Sequence, residues 1–164
     1  MSTRFNADEV FEIALQIERN GRAFYRRAAD IVKDAGGRDL LLGLARWEDD
    51  HERTFEAMRA ELSAAESEAT VFDPEGEAER YLRALADSEV FDVREDPTAK
   101  LTGGESYEEI LRHALGREKE AVLFYLGMKE LVPERLGKSK IDGIVKEEMS
   151  HVRLLSDELR TRRQ

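Results

Sequence analysis

Two copies of one short pattern stand out in the chain, Glu48-x-x-His51 and Glu148-x-x-His151. Each has a single Glu 30 residues upstream, Glu18 and Glu118. Carboxylates and imidazoles without thiolates suit divalent iron or manganese, and residues three apart on a helix share a face. Steps of three and four along four stretches give four seams. They are Phe11, Ala14, Glu18, Gly21, Tyr25, Ala28, Val32; Leu41, Leu44, Glu48, His51, Phe55, Met58, Leu62; Leu111, Ala114, Glu118, Ala121, Tyr125, Met128, Val132; and Ile141, Ile144, Glu148, His151, Leu155. Each is apolar except near its middle, where the four Glu and two His fall.

These six residues need helices to position them. Asn6 with Glu9, and Ser106 with Glu109, form capping-box patterns. Helices are predicted over about 7–33, 35–65, 106–131 and 134–161, with a short amphipathic one over about 77–87 in the long link. Pro74, Pro97 and Pro133 all lie outside the periodic stretches, as helix interiors require. Residues 8–57 and 108–157 align without a gap, pairing Glu18 with Glu118, Tyr25 with Tyr125, Glu48 with Glu148 and His51 with His151. The alignment of Lys33 with Pro133 starts the second helix near Asp34, with Gly36 and Gly37 in its first turn. The expected fold is all-α, an antiparallel four-helix bundle of two hairpins joined by one long crossover that contains a short helix.

Glu18 lies about 21 Å before the end of its helix and Glu48 about 20 Å after the start of the next, so in an antiparallel pair they share one level. The second half repeats the arrangement. Four buried carboxylates would repel one another, each costs several kcal/mol to desolvate, and without compensation they would bind protons. Two divalent cations balance four negative charges. One Glu from each of two helices plus Glu-x-x-His from each of the other two is a known way to hold a metal pair in a bundle. The alternative is a metal-free structural bundle, with six buried polar groups unexplained.

Composition narrows the rest. The 164 residues suit a single domain over 1–164. The absence of cysteine excludes disulfides, thiolate metal sites and a cysteine nucleophile. A net charge of −10 argues against nucleic-acid binding, and no apolar run is long enough for a membrane span. No secretory signal is visible, so the expected location is cytoplasmic.

The stretch Ala14-Leu15-Gln16-Ile17-Glu18 with Phe24-Tyr25, together with Trp47-Glu48-Asp49-Asp50-His51 and Glu147-Glu148-Met149-Ser150-His151, resembles the rubrerythrin-like proteins of the ferritin-like di-iron carboxylate superfamily. The likeness covers about residues 7–160. It implies Glu18, Glu48, His51, Glu118, Glu148 and His151 as ligands of two iron ions, manganese or zinc being substitutes, with Glu48 and Glu148 bridging. It implies Tyr25 and Tyr125 as hydrogen-bond donors beside the metals and candidate catalytic residues; their alternative is core packing with a satisfied hydroxyl. The chain departs from the best-known rubrerythrins in two ways. It has no rubredoxin domain, so electrons would come from an external donor such as a rubredoxin-like protein. The extra Glu one turn after the third-helix ligand is replaced by Ala121, with Gly21 as its repeat mate.

The resulting expectation is oxidation of Fe(II) with H2O2 or O2 in oxidative-stress defence, as a peroxidase or ferroxidase. The alternatives are iron storage or delivery without turnover and a dimanganese catalase-like activity. A homodimer or higher homo-oligomer is expected. Trp47 reads as pointing away from the seam, a dimer contact or a partly buried aromatic; Met149 reads as a packing or dimer contact; His113 reads as a surface or interface residue. Glu52, Glu120 and Glu147 read as solvated.

Overall fold

The computed structural model describes residues 7–62, 73, 75–86 and 92–162. Among them run five α-helices: α1 (Ala7–Ile31), α2 (Ala35–Ala60), α3 (Glu77–Ala86), α4 (Tyr107–Leu131) and α5 (Lys138–Thr161). No strand occurs among the described residues. The Asn6 cap, residues 63–65 at the end of the expected second helix, residue 87 and Pro74 lie outside the described residues.

Each helix end has a local chemical cause. Asp34 caps α2, its carboxylate accepting from the Gly37 N–H at 2.8 Å. Ser106 and Glu109 close a capping box at the start of α4. The last helix starts at Lys138 rather than near Glu134. Pro133 opens a separate 3-10 turn, Glu134–Leu136, and Gly137 then takes a left-handed φ of 97° that an L side chain would resist.

The helices pack as two hairpins, α1 along α2 and α4 along α5, with α1 facing α4 and α2 facing α5 across the bundle. The first hairpin is clasped at its surface: Arg59 grips Asp8 at 2.6 and 2.8 Å, and Arg19 reaches Glu52 at 2.6 Å. The crossover helix α3 lies on α4 where Gly127 leaves room for it; a Cβ there would come within 2.7 Å of the Tyr81 ring. The Tyr81 hydroxyl donates to the Leu123 carbonyl at 3.0 Å.

The apolar core is split in two. One cluster holds Phe11, Phe55, Tyr125, Met128, Ile141 and Ile144. The other holds Phe24, Tyr25, Leu41, Leu44, Leu111 and Leu155. Between them lies a layer of buried charge. No described helix is long and apolar enough to cross a membrane.

Candidate metal centre

Glu18, Glu48, His51, Glu118, Glu148 and His151 are at most 5% exposed. Seam spacing places them here: each occupies a core-facing position of its helix, and the antiparallel hairpins bring the positions to one level. They form two groups, Glu18, Glu48, His51, Glu148 and Glu48, Glu118, Glu148, His151. Within each group one oxygen or nitrogen atom per residue lies within 4.8 Å of every other. Glu48 and Glu148 belong to both. The structure therefore brings together all six residues singled out from the sequence, with the two middle carboxylates shared.

The donor chemistry fits divalent cations. His51 Nδ1 lies 3.0 Å from Glu148 Oε1 and 3.5 Å from Glu18 Oε2, yet none of these three buried atoms has a hydrogen-bond partner of good geometry. Buried polar atoms are almost always satisfied. In the other group His151 Nδ1 lies 3.0 Å from Glu148 Oε2 and 3.3 Å from Glu118 Oε2. Each group thus offers three carboxylates and one imidazole with lone pairs converging on a small volume, which suits iron, manganese or zinc.

Protonation follows the same crowding. Burial, with Glu148 nearby, pushes Glu118 up to about 8. Burial and the charges of Glu18, Glu118 and Glu148 raise Glu48 well above the carboxylate range. Burial opposes a charged imidazole, but Glu148 and Glu18 hold His51 up at about 11, and Glu118 and Glu148 hold His151 up at about 9. Burial also opposes ionisation of Glu148, but contacts with His151 and His51 keep it well below the usual range. Without a cation the layer is stabilised by protons, as expected for carboxylates short of positive charge.

Tyr25 and Tyr125 cover the layer from opposite sides, each from its own apolar cluster. Their hydroxyls cross the bundle: Tyr25 donates to Glu118 Oε1 and Tyr125 to Glu18 Oε1. Burial first, then the charges of these carboxylates, raises both phenols well above their ordinary value, so they stay donors.

The off-seam residues meet expectation only in part. Glu52 is not solvated; it is 9% exposed and pairs with Arg19 and Arg22 in the groove between α1 and α2. Trp47 is a partly buried aromatic, 44% exposed, but its ring lies against the layer and not away from it, stacked on His151 with centroids 4.7 Å apart and planes 23° apart. Glu147 is exposed, as expected, but its carboxylate meets the outer nitrogen of His51 at 2.7 Å. Glu120 is half-buried, and burial raises it. His113 and Met149 are exposed, and His113 stands at the wall of a cavity of about 390 Å³. That cavity runs between α1 and α4 beneath residues 92–97, past Gly21 and Ala121, to Glu48, Glu118 and Tyr25.

No protein-family model matches the sequence, and none of the curated proteins does. Among solved structures, the chain resembles that of a candidate ferritin-like diiron-carboxylate protein from Thermotoga maritima, with a TM-score of 0.69 over 98% of both chains. Sequence identity is 19%, so the likeness speaks for the fold, which is ferritin-like.

Proposed function

We propose that the protein is a di-iron protein that oxidises Fe(II) with H2O2 or O2, as a rubrerythrin-like peroxidase or ferroxidase. The observation that carries this reading is the pair of buried three-carboxylate, one-imidazole groups sharing Glu48 and Glu148. Glu18 and His51 would hold one ion and Glu118 and His151 the other, with Glu48 and Glu148 between them. Two ferrous ions supply two electrons, which is what reduction of one peroxide requires; manganese or zinc would fit the same donors.

The chain's own groups supply the rest. The two apolar clusters cover the layer from either end of the bundle. Tyr25 and Tyr125 fix the orientation of Glu118 and Glu18 and keep a proton beside each. The cavity gives a small oxidant a path to Glu48 and Glu118, where Gly21 and Ala121 put no large side chain in its way. These 164 residues hold no cysteine for a thiolate-bound redox centre, and we take the electron donor for turnover to be a rubredoxin-like protein.

Anaerobic Fe²⁺ titration of metal-free protein tests the reading. The expected result is a break at two irons per chain, lost in Glu48→Ala and Glu148→Ala. Peroxide added with a reductant should then be consumed catalytically. Consumption that stops once the bound iron is oxidised would favour storage or delivery, and peroxide disproportionation by the manganese-loaded protein would favour a catalase-like role. No saturable binding would overturn the reading.

A further inference from the structure

The two halves of the layer match in donor set and differ in the outer partner of each histidine. Both groups hold three carboxylates and one imidazole, and both imidazoles point Nδ1 inward. Trp47 and Glu147 occupy the same place in the 100-residue repeat, four positions before His51 and His151. Each reaches across from its own helix to the histidine of the other. Glu147 of α5 meets Nε2 of His51 at 2.7 Å, whereas Trp47 of α2 stacks flat on the His151 ring. Among the described residues, no carboxylate is paired with the outer nitrogen of His151.

A carboxylate can only accept, so Nε2 of His51 carries the proton. When an ion displaces the proton of Nδ1, the lone pair left there faces the layer, and the bond to Glu147 already holds the ring in the orientation that the ion needs. Stacking on Trp47 holds the plane of His151 but selects neither tautomer. Carboxylate partners of this kind contribute about 10–100-fold to metal affinity. The Glu147 side chain is 60% exposed, so solvent screening puts its effect at the low end, about tenfold.

We propose that the two metal positions are inequivalent. The position built on Glu18, Glu48, His51 and Glu148 fills first and binds about tenfold more tightly than the position built on Glu48, Glu118, Glu148 and His151. The inference rests on the metal-centre reading above. Trp47 is the single tryptophan of the chain and lies on the ring of the weaker position. Its fluorescence therefore reports the second ion selectively.

The test is titration of metal-free protein with Zn²⁺ or Mn²⁺, followed by calorimetry and by tryptophan emission. Calorimetry should give two steps, and most of the emission change should fall in the second. Glu147→Ala, a change at an exposed side chain, should weaken the first step about tenfold, merging the two steps and spreading the emission change over both equivalents. Trp47→Phe should lose the signal yet keep two calorimetric steps. Two equal sites in the native chain, an emission change complete at the first equivalent, or a Glu147→Ala variant with the gap intact would overturn this inference while leaving the metal centre standing. Absence of saturable binding would instead overturn the metal centre, and this inference with it.

Discussion

Gly21 lies directly against the carboxylate of Glu48: a Cβ built on it would sit 2.7 Å from Oε2 and 2.9 Å from Cδ. The glycine is mid-helix in α1, where it costs about 1 kcal/mol relative to alanine. Its place is explained by the room it gives a carboxylate common to both groups.

Gly21→Ala should therefore separate stability from metal binding. A gain of about 1 kcal/mol in helix propensity against an overpacking cost of about 1–3 kcal/mol leaves the metal-free protein destabilised by about 2 kcal/mol at most. Displacement of Glu48 should weaken both metal positions by tenfold or more. Thermal unfolding with and without two equivalents of metal checks this; an unchanged metal-induced rise in Tm would show that Glu48 yields without consequence.

Glu48→Gln replaces, without changing shape, a carboxyl group that must take up a proton to stay buried among its neighbours when no ion is bound. The metal-free variant no longer depends on that proton uptake and should be more stable than the native chain at pH 7, by about 0.5–2 kcal/mol. It should lose the metal-dependent increment. Urea unfolding of both forms, treated with chelator and reloaded, gives the answer.

Tyr25→Phe and Tyr125→Phe each remove a buried bond to a carboxylate. Leaving one partner of a buried hydrogen bond unsatisfied costs about 1–3 kcal/mol, and each variant should lose that much. The crossed, repeat-related arrangement predicts similar losses for the two. A loss in only one would mean that the two bonds are not equivalent.

Acid should remove the contribution of Asp34. Its carboxylate accepts from the Gly37 N–H and pairs with Arg162 at 2.8 Å, and these contacts hold it below its ordinary value of 3.8. A lowered carboxylate stabilises fully above its unfolded value and loses that contribution as pH falls through the folded one. Asp34→Ala should thus be less stable than the native chain at pH 7, and the gap should close below pH 3.8. A gap that persists at low pH would assign the effect to packing instead.

The charged layer was legible because it contradicts its surroundings. Glu18, Glu48, Glu118 and Glu148 sit where the seam calls for an apolar side chain, and only a shared purpose resolves that conflict four times over. The hairpins were legible through Asp34, Ser106 and the repeat. Partners across the bundle were not. Trp47 and Glu147 are one step off the seam, and only the facing of α2 and α5 brings them to His151 and His51. Their one sequence signal is that the repeat differs at that position. Glu52 was missed for a similar reason, since its burial depends on Arg19 and Arg22 folding over it from α1. The late start of α5 depends on the backbone turn at Gly137, which seam periodicity does not register.

Each candidate metal position draws on both hairpins. One takes three residues from the first and Glu148 from the second; the other takes three from the second and Glu48 from the first. Neither half of the chain could assemble a four-residue position alone. A bound pair of ions would therefore act as a double rivet between two prefabricated pieces, rewarding only the register in which all six side chains meet. Stripping the ions would loosen that joint before either piece unravelled, so the chemistry of the centre would also proofread its own assembly.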